Sequence, residues 1–103
     1  MQRRRFSSWA PQSDSLYVES ALVQVKVQGG LLNYPRGKSA MVWYGVFAPL
    51  TVEGLAPVLT HLKDIAPGET LVWRYVKASS PELELAALLA RFEARFGSPP
   101  LGL

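Results

Sequence analysis

The stretch MVWYGVFAPL at residues 41–50 constrains the fold most strongly, because it reads as a β-strand that is apolar on both faces. Successive side chains of a strand point to opposite faces of its sheet. Tyr44 and Val46 therefore belong to one face, whereas Trp43 and Phe47 belong to the other. A half-buried strand usually carries polar residues on its solvent side. The second apolar face of this strand must therefore also be covered. Whether a helix, a second chain or a ligand covers that face decides which functions the protein can have.

The segments around this strand predict the chain order β-β-(β)-α-β-α. Valines alternate with glutamine and lysine in ALVQVKVQ at residues 21–28, which indicates a strand with one solvated face. The stretch TLVWRYVK at residues 70–77 predicts another strand. Gly29-Gly30 and residues 35–38 are turn signals, so a short additional strand can lie between them.

Two amphipathic segments predict helices. Thr51 is a suitable N-cap for the first helix, but Pro57 removes a backbone donor, so we expect an irregular first turn and a regular helix from about Pro57. The second helix begins at Ser80-Pro81, where a capping serine precedes proline, and Gly97 ends it. The strands on either side of the first helix should run parallel if they share a sheet.

These elements fit one domain of the α+β class. The chain has 103 residues, of which 49 % are hydrophobic, and this is enough for one compact core. We expect a basic N-terminal arm at residues 1–14, the folded domain at 15–97 and a C-terminal tail at 98–103. The domain is predicted to have two layers, with a small mixed β-sheet of three to four strands and two helices on one face. The other face of the sheet would then be open.

The composition excludes several classes of protein. The chain has no cysteine, so it cannot form a disulfide framework, a cysteine-ligated zinc finger or a thiol nucleophile. No stretch approaches the ~18 consecutive apolar residues of a membrane span. The basic start lacks the apolar run of a secretory signal. We therefore expect a cytoplasmic protein, and the scarcity of asparagine and cysteine is compatible with a thermophilic source.

An open sheet face would present aromatic rings among basic and amide side chains. Bases stack on such rings for about 1–3 kcal/mol each, while cationic side chains hold the phosphates. We therefore predict non-catalytic binding of nucleic acid, meaning single-stranded or structured RNA or single-stranded DNA, as in a subunit of a ribonucleoprotein. The predicted stacking residues are Trp43, Trp73 and Tyr75. The predicted phosphate contacts are Arg3, Arg4, Arg5, Lys26, Arg36, Lys38 and Arg74.

Two other interpretations of the same aromatic residues stay open. Tryptophan and tyrosine are common core residues of strands, in which case Trp73→Ala would simply destabilise the fold. Alternatively, two open sheets can pack face to face, which would make the chain a protein–protein interaction module or a homodimer. Binding to nucleic acid should weaken steeply with salt, whereas apolar sheet packing should tolerate salt.

The sequence offers few residues for catalysis. His61 is the only histidine, and Asp14 and Asp64 are the only aspartates. A metal-dependent nuclease needs clustered carboxylates, and no phosphate-binding glycine loop or nucleophile elbow is present. We therefore predict no enzyme activity, no cofactor and no metal site.

Overall fold

The computed structural model describes residues 16–103 of the chain. The predicted arm at residues 1–14, with Arg3, Arg4 and Arg5, lies outside the described residues. The helices of the described part are α1 (Val52–Ile65) and α2 (Pro81–Phe96). Its strands, in chain order, are β1 (Tyr17–Val18), β2 (Ala21–Gln28), β3 (Leu32–Tyr34), β4 (Gly37–Ser39), β5 (Met41–Phe47), β6 (Leu50–Thr51) and β7 (Thr70–Lys77).

The main sheet has three strands in the order β5-β2-β7. Both pairs are antiparallel, so β5 and β7 run in the same direction on either side of β2. The segment β5-α1-β7 is therefore a split β-α-β unit, and its two strands run parallel within one sheet as predicted. The α+β class is also confirmed. The paired strands are all antiparallel rather than mixed, because β2 separates the two strands that run parallel.

Two short antiparallel pairs complete the described strands. β1 pairs with β6, and β3 pairs with β4 across the predicted turn at residues 35–38. The β3-β4 hairpin lies against the end of α2, where the backbone N–H of Arg36 donates to the carbonyl oxygen of Phe96 at 2.9 Å. The hairpin and the C-terminal end of α2 therefore form one contiguous surface.

The strand register shows which side chains share a face of the main sheet. Trp43 lies opposite Val25, and Val25 lies opposite Trp73, so these three residues form one row across the sheet. The adjacent row runs from Tyr44 through Gln24 to Arg74. Because adjacent residues of a strand point in opposite directions, the two rows belong to opposite faces.

Each face of the sheet packs against its own helix. On the first face, Leu55 and Leu62 of α1 pack with Val25 and Trp73. On the second face, Phe92 of α2 packs with Tyr44 of β5. Four further residues of α2 lie around Phe92, namely Leu85, Leu88, Leu89 and Phe96. We call these two surfaces the α1 face and the α2 face. Helix α2 is thus the cover that the doubly apolar strand β5 requires.

The two helices therefore lie on opposite faces of the sheet instead of sharing one. Three strands spaced about 4.8 Å apart are roughly as wide as one helix, so a single helix covers most of each face. Placing both helices on one face would leave the apolar residues of the other face in water. The three-layer arrangement buries more apolar area, which is the dominant favourable term in folding.

Helix α1 begins earlier than Pro57 alone would predict. Its N-cap is Thr51, whose hydroxyl oxygen accepts a hydrogen bond from the backbone N–H of Gly54 at 2.9 Å. The helix then runs through Pro57, so the expectation of regular helix only from that residue is wrong. Proline removes one backbone hydrogen bond here, and both the cap and the complete burial of Leu55 and Leu62 oppose that cost.

The C-terminal tail covers the outer side of β5. Helix α2 ends at Gly97, which has a φ of 87°, as the glycine at this position predicts. The backbone N–H of Leu101 then donates to the hydroxyl oxygen of Tyr34 at 3.1 Å. The N–H of Gly102 donates to the carbonyl oxygen of Val42 at 2.9 Å. The tail therefore passes from the α2 side around strand β5 to the α1 side, where Gly102 is buried.

Candidate nucleic-acid interface

The predicted stacking residues come together on the α1 face. Trp43 and Trp73 lie in one cross-strand row, and Tyr75 lies in the next row of the same face. The indole of Trp73 is only 4 % exposed and belongs to the core beneath α1. Trp43 and Tyr75 are half-buried and pack against that core. Within residues 16–103 the sheet therefore has no open aromatic face, because a helix lies on each side.

The predicted phosphate contacts fall into separate places. Lys26 and Arg74 lie on the α2 face of the main sheet, because they share the face of Gln24. Arg36 and Lys38 lie on the β3-β4 hairpin and are exposed. The cations that were expected to surround the aromatic residues are thus on the opposite side of the sheet or beyond its end.

Arg74 forms part of a polar row within the α2 face. Its Nε donates to Oε1 of Gln24 at 2.6 Å, and Gln24 itself is only 4 % exposed. Burial of the guanidinium lowers the pKa of Arg74, and the nearby Tyr44 opposes that shift. An arginine nevertheless keeps its charge at physiological pH. The hydrogen bond satisfies a buried amide, so Arg74 has a structural function whatever else it contacts.

Four exposed cations lie on the C-terminal half of α2 and on the β3-β4 hairpin that packs against its end. Arg91 and Arg95 lie one turn apart in the C-terminal half of α2, and both are exposed. The adjacent hairpin supplies Arg36 and Lys38. We call the surface formed by these four residues the basic end. Sequence analysis did not identify Arg91 and Arg95 as candidate contacts, although their i, i+4 spacing places them on one side of a helix.

Direct contacts hold the basic end together. The Nη2 of Arg36 donates to the carbonyl oxygen of Glu93 at 3.2 Å, which adds a second hydrogen bond to a carbonyl that already accepts from the Gly97 N–H at 2.8 Å. The guanidinium of Arg95 lies 5.2 Å from the centre of the Phe96 ring. Glu93, which lies between Arg91 and Arg95 in the sequence, is the acidic residue at this surface. An arginine has five N–H donors, so Arg36 retains donors for a ligand beside the one used here.

The opposite end of α2 carries the opposite charge. Glu82 and Glu84 lie in its first turn, whereas Arg95 lies in its last turn. This distribution follows the helix dipole, which favours anions at the N-terminus and cations at the C-terminus. It also gives α2 a polarity that would orient a polyanion toward the hairpin end.

Burial raises the pKa of two tyrosines next to the basic end. Burial raises the pKa of Tyr34 above 10.0, although a hydrogen bond from Leu101 opposes the shift. Burial also raises the pKa of Tyr44, and the neighbouring Tyr34 adds to that shift. The hydroxyl of Tyr34 donates to the carbonyl oxygen of Met41 at 2.7 Å, which further ties the hairpin to β5.

We expect the stability of the protein to fall at alkaline pH because of these two tyrosines. Their folded-state pKa values lie above the unfolded value, so their contribution is fully present below about pH 10 and is lost as pH rises through the folded-state values. Urea unfolding between about pH 8 and pH 11 should show this decline, and Tyr44→Phe should make it shallower. A decline that is unchanged in Tyr34→Phe and Tyr44→Phe would contradict the assignment.

The described residues offer no evident metal site. Within residues 16–103, no three histidine or carboxylate side chains are grouped so that they could hold a metal ion. His61 is exposed on α1. In the same part of the chain, no helix is long and apolar enough to cross a membrane.

Comparison with known proteins gives no match to a family model, to a curated protein or to a solved structure.

Proposed function

We propose that this protein binds the phosphate backbone of a nucleic acid, without catalysis, through the basic end. The ligand class is single-stranded or structured RNA, or single-stranded DNA, in keeping with a subunit of a ribonucleoprotein. The observation that carries the proposal is the packing of the β3-β4 hairpin, which carries Arg36 and Lys38, against the end of α2 that carries the exposed Arg91 and Arg95. Contacts to phosphate dominate affinity for nucleic acid and carry little sequence information.

The composition of this surface supports a polyanionic partner. Arginine is suited to phosphate because its planar guanidinium can donate two parallel hydrogen bonds. The cations lie on a helix end and a tight hairpin, so their backbone positions are fixed before binding, which lowers the entropic cost of association. Arg3, Arg4 and Arg5 lie outside the described residues, and their contact with phosphate stays a prediction from the sequence.

The proposed contribution of the aromatic residues differs in detail from the sequence-based expectation. Trp43 and Tyr75 are half-buried at the α1 face and remain candidates for stacking on bases. Trp73 is a core residue in this conformation, so stacking on its ring would require α1 to move away from the sheet. The α1 face is also the surface that the homodimer interpretation needed, and α1 occupies it. Backbone binding at the basic end therefore has the stronger support.

The test is fluorescence anisotropy with labelled single-stranded RNA and DNA oligomers over a salt series. Wild-type binding should weaken with salt through counterion release. Neutralising two phosphate contacts in the double variant Arg91→Gln/Arg95→Gln should reduce the steepness of log K against log salt by about 1.4 for a single strand. Affinity at low salt should fall by roughly an order of magnitude or more.

The matched control removes the same amount of charge elsewhere. Lys63→Gln/Lys77→Gln changes two exposed cations on α1 and β7, away from the basic end. Its salt dependence should stay close to that of the wild type. Equal losses in both double variants would show that only net charge matters and would overturn the basic end as the site. Absence of any binding at low salt would overturn the proposed function itself.

A further inference from the structure

A groove separates helix α1 from strand β7 on the α1 face. Its volume is about 470 Å³, within the range of pockets that hold small organic ligands. The apolar part of its lining comes from one side of α1 and from β7, with Leu55, Ala56 and Leu59 facing Leu71 and Trp73. Leu55, Leu71 and Trp73 are almost completely buried beneath the groove. Ala56 and the half-buried Leu59 therefore carry the apolar surface that a hydrocarbon chain can contact.

The polar residues of the groove lie at its rim, and two of them carry opposite charges. Thr60 and Thr70 supply hydroxyl groups, and Lys63 supplies an ammonium group. Glu69 also borders the groove, but its carboxylate lies against the β2-β3 connection: a Cβ at Gly30 would be 3.0 Å from Oε1 of Glu69. Lys63 is the one cation among the residues that line the groove.

We propose that this groove binds a small amphipathic carboxylate, of the kind represented by a medium-chain fatty acid. The apolar chain would lie on the floor between α1 and β7, and the carboxylate would pair with the ammonium group of Lys63. Burial of the chain supplies the affinity, at about 25 cal/mol for each Å² of apolar surface removed from water. The ion pair supplies the selectivity, because it distinguishes an acid from a neutral alcohol of the same length.

The test is calorimetric titration with decanoate and, in parallel, with decanol. Decanoate should bind saturably with one site per chain, and decanol should bind roughly tenfold more weakly because it lacks the charge that pairs with Lys63. Lys63→Met should bring decanoate binding down to the level of decanol. Saturable decanoate binding that is unchanged in Lys63→Met would overturn the proposal, as would equal binding of the two ligands.

A second variant tests the location without removing the charge. Ala56 is exposed on α1 and lines the groove, so Ala56→Phe should fill the groove while the helix stays folded. Ala94→Phe, on the exposed side of α2, is the matched control. Decanoate binding should be lost in the first variant and kept in the second, with circular dichroism melting curves showing that both are folded. Retention of decanoate binding in Ala56→Phe would place the ligand elsewhere and overturn the proposal.

The groove and the basic end can be tested separately. Arg91→Gln/Arg95→Gln should leave decanoate binding unchanged, because both residues lie on α2 across the sheet from the groove. Lys63→Met should leave the affinity for RNA close to that of the wild type. Loss of decanoate binding in the α2 variant would overturn the assignment to the groove and would leave the basic end untouched.

Discussion

Replacing Trp73 with alanine should lower the free energy of unfolding by about 3–5 kcal/mol, the cost typical of removing a large side chain from a core. The indole is 4 % exposed and packs beneath α1 with Leu55 and Leu62. Its removal forfeits buried apolar area and leaves a cavity that the β7 backbone cannot close. Urea unfolding followed by circular dichroism would measure the change.

The Trp73 experiment also separates a core function from a stacking function. Tyr17→Ala is the control for loss of a large aromatic side chain, because Tyr17 is 71 % exposed and its removal should change stability by less than about 0.5 kcal/mol. A Trp73→Ala variant that keeps wild-type stability but loses binding to single-stranded RNA would contradict the core assignment. It would instead indicate that the indole stacks on bases, as the sequence analysis predicted.

Local patterns were sufficient to predict most elements of this fold. The alternation in residues 21–28 reflects the two faces of β2, because its valines face α1 while Gln24 faces α2. Gly97 ends α2 in a left-handed conformation, which glycine adopts without steric cost. Such signals are local, since each depends on a few neighbouring residues and on the geometry of one element.

The placement of the helices depended on information that local patterns do not contain. An amphipathic stripe shows that a helix packs on something, but it does not show which face of the sheet it covers. The sequence of strand β5 does indicate that both faces of the sheet are covered, because both faces of this strand are apolar. The narrow width of a three-stranded sheet decides the outcome, and that width depends on the long-range pairing that places β2 between β5 and β7.

The same limit applies to the candidate site. Arg36 and Arg91 are far apart in the chain, and they share a surface only because the β3-β4 hairpin packs on the end of α2. Conversely, Trp73 and Arg74 are neighbours in sequence, yet they face opposite sides of the sheet. Residue type and proximity in sequence therefore suggested one surface with both aromatic and basic side chains. In the strand, neighbouring side chains point to opposite faces, so the aromatic and the basic residues are separated.

Replacing Gly102 with valine should detach the C-terminal tail from β5 and destabilise the protein by about 1–3 kcal/mol, the usual cost of overpacking a tight site. A Cβ at this position would lie 2.8 Å from the carbonyl oxygen of Val42 and closer still to Cδ2 of Leu62. Leu62 is completely buried, so it has little room to move. Detachment would break the hydrogen bond from the Gly102 N–H and uncover the outer side of β5, which would become available for association with other strands.

Hydrogen exchange at the amides of residues 101 and 102, combined with urea unfolding, would measure both effects. Leu103→Ala is the control, because that exposed side chain should contribute little, and full amide protection in Gly102→Val would show that the slot between α1 and β5 can open to admit a side chain.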